Sequence, residues 1–195
     1  MLFNELFDDC RNLKTFTFDK TYEEFVAFVE QCDRNIIAKP YTGFSGGGIH
    51  KPQVMNDEEM RKVYESLKTD GQYFCEEAFV QTGILGRINS SSVNTLRIYS
   101  IYDGEKVNIT ATTIRFGGGT SCVDNIHGGG MCCEIDMESG IIVGAGYNLS
   151  GEKMYRHPVS GIYLPGIQIP RWTEVIDLIK DAAGRYPEQG HIAWD

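Results

Sequence analysis

Apolar positions recur at helical spacing in three stretches: Tyr22, Phe25, Val26 and Val29; Met60, Val63, Tyr64 and Leu67; and Trp172, Val175, Ile176 and Ile179. Each series follows i, i+3, i+4, i+7, which lays one apolar stripe along a helix. Asn56 followed by Glu59 predicts the start of the second helix, Asp70-Gly71 its stop, and Pro170 the opening of the third. Between the helices the period falls to two. Residues 72–80, QYFCEEAFV, read as a strand, and 95–116, TLRIYSIYDGEKVNITATTIRF, as a hairpin turned at Asp103-Gly104. Residues 131–148, MCCEIDMESGIIVGAGYN, predict a second strand pair turning at Glu138 to Gly140, and Ile36, Ile37 and Ala38 a short buried strand. From Leu149 to Pro170 there is no period but many Gly and Pro, so this stretch reads as an extended loop covering something. The order helix, strand, glycine segment, helix, strand, long antiparallel sheet, loop and helix predicts an α+β fold in two layers or lobes.

Two-residue alternation places Thr95, Arg97, Tyr99 and Ile101 on one face, and Val107, Ile109, Ala111, Thr113 and Arg115 on one face of the partner strand. An arginine thus falls among apolar neighbours on each. Two readings stand: arginines at strand ends that reach water by snorkelling, or an anion clamp.

The 195 residues are 42% hydrophobic and 23% charged, an ordinary globular composition with room for one generous domain or two small lobes. The formal charge of -9, with no cluster of Lys and Arg, argues against a nucleic-acid or anionic-membrane partner. The apolar runs are too short to span a bilayer and Met1 opens no signal peptide, so the expectation is a soluble, cytoplasmic protein. The six cysteines then read as reduced and mostly buried. Cys122, His127, Cys132 and Cys133 invite a zinc site, against which stand the absence of CxxC spacing and the opposite faces of adjacent cysteines in a strand.

The most chemically pointed stretch is 36–51, IIAKPYTGFSGGGIHK, where Lys39 ends an apolar run and Gly43, Gly46, Gly47 and Gly48 follow. Glycine lets backbone N–H groups approach phosphate oxygens while a lysine supplies charge; the alternative is an ordinary loop. Neither GxxxxGK[ST] nor GxGxxG is present. At 117–130, GGGTSCVDNIHGGG, a second glycine-dense segment holds Asp124 and Asn125, whose alternative role is making turns. Glu77, Ala78, Phe79 and Val80 leave a strand with an acid, an aromatic and an aliphatic residue, a pattern that suits an adenine edge and ring. Asp195, after IAW, is an oxygen ligand of the kind Mg²⁺ prefers. His157, like His50 and His191, reads as a surface or capping histidine or as a general base. No Ser-His-Asp spacing supports hydrolysis.

Taken in order, these features resemble the ATP-grasp fold, and INSSSVNTLRIYS, TTIRFGGGTSCVDNIHGGG, HPVSG and IAWD resemble its sugar-transfer associated family over nearly the whole chain. The resemblance implies antiparallel sheets with packed helices, in a small lobe over residues 1–82 and a larger one over 83–195, with ATP held between two sheets. It implies an ATP-dependent carboxylate-amine ligase, forming an amide through an acyl phosphate in polysaccharide or cell-surface glycan biosynthesis, with a small-molecule or glycan carboxylate and an amine as substrates. Lys39 would contact the α- and β-phosphates, and amides from Ser45 through Gly46, Gly47 and Gly48 would close over the β/γ end. Glu77, Ala78, Phe79 and Val80 would hold adenine, Arg97 and Arg115 the transferring phosphoryl group or the substrate carboxylate, and Asp195 Mg²⁺. Asp124 and Asn125 would lie on the acceptor side. The family's later Glu-x-Asn and an earlier phosphate-contacting lysine are not found, so the expectation is a partial domain with an incomplete metal site. A kinase acting on a sugar and a non-catalytic module binding nucleotide or saccharide are the rival readings. Oligomeric state is not legible.

Overall fold

The computed structural model describes residue 7 and residues 13–43, 46–119 and 121–195, and the chain divides into two compact units, Met1–Val80 and Gln81–Asp195. In the first unit, strands β1 (Thr15–Thr17), β2 (Ile36–Pro40) and β3 (Tyr73–Glu77) form an antiparallel sheet in the order β1-β3-β2. Helices α1 (Tyr22–Gln31) and α2 (Asp57–Asp70) supply the apolar stripes that the spacing predicts. Phe16, Ile36, Ala38 and Cys75 from the sheet meet Phe25, Phe28, Val29, Met60, Tyr64 and Leu67 from the helices in one buried cluster. Rings interlock within it, with Phe16 edge-on to Phe25 at 5.2 Å between centroids. Each large side chain so buried contributes about 2–3 kcal/mol of transfer free energy.

The helix ends follow local chemistry. Thr21 and Glu24 form a capping box on α1, which closes two otherwise orphaned amides. Asn56 Oδ1 accepts the Glu59 amide at 2.9 Å, while the Glu59 carboxylate accepts from Met55 rather than from Asn56 itself. Gly71, at φ 69°, ends α2 as expected.

The second unit is built on six antiparallel strands. These are β4 (Leu96–Tyr102), β5 (Val107–Phe116), β6 (Met131–Ile135), β7 (Ile142–Asn148), β8 (Lys153–Met154) and β9 (His191–Trp194), in the order β8-β7-β6-β5-β4-β9. One face buries Ile98, Ile114, Phe116, Met131, Cys133 and Ile135, and helix α4 (Trp172–Gly184) packs on β4 and β5. A short helix, α3 (Gly83–Ile88), lies before β4; with six residues it is too brief to show a period. No helix among the described residues is long and apolar enough to cross a membrane.

The 149–170 segment does cover the sheet, but less loosely than a loop. It contributes β8, the bridges Ile141↔Gln168 and Arg156↔Tyr163, and the buried Leu164 and Ile169. His157 pins it. Of the surface or capping reading, the surface half is corrected here, because His157 is 1% exposed. Its Nδ1 accepts from the Ser160 amide at 3.3 Å, which assigns the ring proton to Nε2, and Nε2 donates to the Gly117 carbonyl at 2.7 Å. The ring also meets Phe116 edge-on at 6.1 Å. Burial lowers its pKa, and the Gly117 bond only partly opposes this.

A neutral His157 therefore belongs to the folded state, while in the unfolded chain the imidazole protonates around pH 6.5. Below that pH the unfolded state binds the extra proton, so stability falls as pH drops through this value and levels off below the folded pKa. Thermal midpoints measured from about pH 8 to about pH 5 should decline for the wild-type chain. They should be flatter for His157→Gln, which should also be about 1–3 kcal/mol less stable at neutral pH.

Candidate functional site

The face of the large sheet opposite its core carries Arg97, Tyr99, Thr113 and Arg115. Pairing of Ile98 with Trp194 brings the next residue along, Asp195, beside Arg97. Arg97 Nε donates to Asp195 Oδ1 at 2.8 Å and its Nη2 to Oδ2; Arg115 Nη2 donates to Oδ1 at 2.7 Å. Two guanidiniums thus share one half-exposed carboxylate, and Asp195 is the foremost cause of a raised Arg97 pKa. Both arginines are thus paired with a carboxylate of the chain itself.

Arg115 is held from behind. Its Nε and Nη2 donate to Thr95 Oγ1 at 3.0 and 2.6 Å. Thr95 in turn donates its amide and its hydroxyl to Asp124 Oδ2 at 2.8 and 2.5 Å. Asp124 is 5% exposed. Because both Thr95 donors end on Asp124, the hydroxyl oxygen must turn its lone pairs toward Arg115. Thr95 was not foreseen as part of the site, and the signal was its place on the same face as Arg97 and Tyr99.

The second glycine-dense segment explains how Asp124 gets there. A Cβ on Gly118 would sit 1.7 Å from the Gly129 carbonyl oxygen, and one on Gly130 would sit 2.5 Å from the Asp124 oxygen. The segment folds back on itself at distances only glycine allows, which delivers Asp124 inward. Asn125 follows it as the N-cap residue of a 3₁₀ turn, Ile126–Gly128.

In the first unit, Lys39 lies on the sheet face opposite the helices, with Ile37, Phe74 and Glu76. Its Nζ bonds Glu76, whose side chain is only 3% exposed. Strand alternation puts Glu77 on the other face, where its carboxylate lies 3.5 Å from Lys14 Nζ. The carboxylate that meets Lys39 is therefore Glu76, the neighbour of the acid expected to matter. Ala78 is buried and tied to Asn35 through both its amide and its carbonyl, whereas Phe79 and Val80 are 53% and 67% exposed. After the first glycine segment the chain returns to β2, with His50 and Ala38 exchanging backbone bonds of 3.1 and 2.8 Å. The glycines thus close a hairpin, with Gly46 and Gly48 at φ 73° and 80°. Gly47 stands between them, and Ser45 lies outside the described residues.

Among the described residues no group of three His, Cys, Asp or Glu is placed to hold a metal ion. The oxygens of Asp195 are engaged by guanidiniums, and Mg²⁺ needs several oxygen ligands. The described residues do not form a magnesium site around Asp195. Nor do Cys122, His127, Cys132 and Cys133 form a zinc site: Cys133 is buried, with its thiol pKa pushed up to about 12 by desolvation, while Cys132 points to the open face.

A family model, sugar-transfer associated ATP-grasp, matches residues 9–195. No curated protein matches the sequence. Among solved structures, the chain is similar to Ca. Korarchaeum cryptofilum ACD1 in complex with coenzyme A, at 16% identity over 93% of this chain and 76% of that one, with a TM-score of 0.39. It is also similar to the biotin carboxylase subunit of pyruvate carboxylase, at 13% identity over 88% of this chain and 40% of that one, with a TM-score of 0.29. Neither score is high enough to carry roles from one chain to the other.

Lys39→Ala should remove one charged partner of the largely buried Glu76 carboxylate, at a cost of about 1–3 kcal/mol, so the lysine is not thermally silent. Adding Glu76→Gln should restore the thermal midpoint without restoring the affinity for a non-hydrolysable ATP analogue that Lys39→Ala lowers. Recovery of both by the double variant would show that the lysine serves the fold alone. In the large sheet, Thr95→Val should lower that affinity by several fold while Thr95→Ser retains it, since only the hydroxyl relays Asp124 to Arg115. Equal affinity for the two variants would remove Thr95 from the site.

Proposed function

The chain belongs to the sugar-transfer associated ATP-grasp family, and from this we propose that it is an ATP-dependent carboxylate-amine ligase domain, forming an amide through an acyl phosphate in polysaccharide or cell-surface glycan biosynthesis. Its fold is accordingly the α+β ATP-grasp fold, and membership supports ATP-dependent, ligase-like chemistry. The finer reading rests on one observation above the others. Arg97 and Arg115 converge on a carboxylate, and a carboxylate, an acyl phosphate and a phosphoryl group are the oxyanions such a reaction must hold.

In this reading Lys39 exchanges Glu76 for the α- and β-phosphates, and amides from Ser45 to Gly48 approach the β/γ end, as glycine permits. The backbone from Glu77 to Val80, with the exposed Phe79 and Val80, receives adenine. A substrate carboxylate oxygen attacks the γ-phosphorus and the bond to the β-phosphate oxygen breaks, leaving ADP and an acyl phosphate. Arg97 and Arg115 hold the oxyanion through both states. An amine nitrogen then attacks the carbonyl carbon, the carbon–oxygen bond to phosphate breaks, inorganic phosphate leaves, and the nitrogen loses a proton. Asp124 and Asn125 border the acceptor side, Asp124 through Thr95. No step is routed through a metal on Asp195.

Incubation with ATP, a magnesium salt, hydroxylamine and a panel of carboxylates that includes sugar acids tests the reaction. A carboxylate-dependent release of ADP together with a hydroxamate is the expected outcome, since hydroxylamine captures acyl phosphates. A stable phosphate ester with no hydroxamate would make the protein a kinase instead.

A further inference from the structure

Strand β7 does not run flat. Cys132 pairs with Tyr147, yet Glu134 pairs with Val143, so β7 holds two residues more than β6 between these pairs. The surplus falls in the sequence Gly144-Ala145-Gly146. Gly144 sits at φ 68°, and a Cβ on Gly146 would lie 2.2 Å from Met131 Cε and 2.7 Å from Cys133 Sγ. The strand therefore sinks into the core here, at a spot where only glycine fits. On the opposite, open face the same bulge leaves a groove of about 520 Å³, lined by Thr113, Cys132, Glu134, Met137, Val143 and Tyr147 among others. That volume lies within the range of about 300–1,000 Å³ usual for small-molecule sites.

The lining is mixed in a particular way. Tyr147, Val143 and Met137 are 43%, 40% and 46% exposed, beside the Thr113 hydroxyl and the exposed Glu134 carboxylate. The register then carries the groove to the arginines: Arg115 pairs with Cys132, Cys132 with Tyr147 and Tyr147 with Lys153, so these four side chains form one row across the open face. At about 5 Å per strand, Tyr147 stands two strands from Arg115. A ligand lying along this row spans the Tyr147 ring, the Cys132 thiol and a guanidinium that binds oxyanions, with the hydroxyl-binding oxygens of Thr113 and Glu134 in the next row of the same face.

We propose that this groove seats the carboxylate substrate and that the substrate is a sugar acid: a polyhydroxylated ring whose apolar face lies on Tyr147, whose hydroxyls donate to Glu134 and share bonds with Thr113, and whose carboxylate reaches Arg115. The proposal rests on the ligase reading above and names the substrate class that the reading leaves open. A purely apolar ligand would strand Glu134, and a simple short-chain acid would leave Tyr147 uncovered.

Calorimetry with glucuronate, glucose and a non-hydrolysable ATP analogue tests it on the full chain. Glucuronate should bind, and glucose should bind at least tenfold more weakly. Tyr147→Ala and Glu134→Gln, both changes at exposed positions, should each weaken glucuronate about tenfold or more while leaving the nucleotide analogue unaffected. Arg115→Gln should abolish the preference for glucuronate over glucose. Absence of glucuronate binding, or glucuronate affinity untouched by Tyr147→Ala, would overturn the proposal. So would equal weakening of the nucleotide analogue by Tyr147→Ala, which would give the groove to ATP. If the analogue itself fails to bind the wild-type chain, it is the ligase reading that falls, an outcome separable from the others.

Discussion

A single buried carboxylate, Asp124, orients the charged face of the larger unit. Asp124 Oδ2 receives both the amide and the hydroxyl of Thr95, and the hydroxyl oxygen so oriented accepts two bonds from Arg115. Arg115 Nε also lies 3.8 Å from the same Asp124 oxygen, so the arginine is aimed by charge and hydrogen bond together. A guanidinium anchored along one edge has the rest of its fork to present, and it presents it to Asp195. The glycine-dense segment at 117–130 is the means to this end. A Cβ added at Gly118 or Gly130 would fall 1.7 or 2.5 Å from a backbone oxygen, so only glycines let the segment fold tightly enough to bring Asp124 under the strand. His157, bonded to the Gly117 carbonyl, fastens the start of that segment to the covering chain at 149–170.

Both sheets obey the same division of labour, and it comes from strand alternation. Ile98, Ile114 and Met131 face the core in the large sheet while Arg97, Arg115 and Cys132 face away. In the small sheet Ile36, Ala38 and Cys75 face the helices while Lys39 and Glu76 face away. The apolar core is thus concentrated on one side and the paired charged groups on the other, so substitutions on the charged faces should have a modest effect on the core.

Where alternation and helical spacing operate, the sequence was readable. The three long helices, the hairpin turned at Asp103 and the arginines on one face all follow from side-chain periodicity. Asp103 even makes its turn by accepting the amides of Glu105 and Lys106, which lowers its pKa to about 2. What was not readable depends on contacts far apart in sequence. Nothing local reveals that Thr95 and Asp124, or Arg97 and Asp195, are partners across 29 and 98 positions. His157 looked like a loop histidine because its burial comes from Phe116 and Gly117 on another strand. Glu76 drew no attention as a partner of Lys39, although strand parity places the two on one face. The bulge at Gly144 was hidden for a different reason: GAG in a strand is equally compatible with a plain strand, and only the register across β6 exposes the two extra residues.

The charge balance of the chain sets how these sites can accept an anion. With 27 acidic against 18 basic residues, Lys39, Arg97 and Arg115 are each paired with a carboxylate of the chain itself, so in the proposed ligase reading a phosphate or carboxylate ligand would take the place of one. The two exchanges differ in cost. Asp195 keeps 47% of its side chain exposed, so on release it regains water and loses little, as half-solvated ion pairs of about 0–1 kcal/mol do. Glu76 is 3% exposed, so parting it from Lys39 returns little water to it and costs more than releasing Asp195. In the proposed ligase reading the arginine pair is therefore the place that would yield more readily to an oxyanion, and Lys39 would turn toward a ligand of higher charge. A polyphosphate meets that condition and a monocarboxylate does not, which separates the two ligands by charge density before any shape is considered.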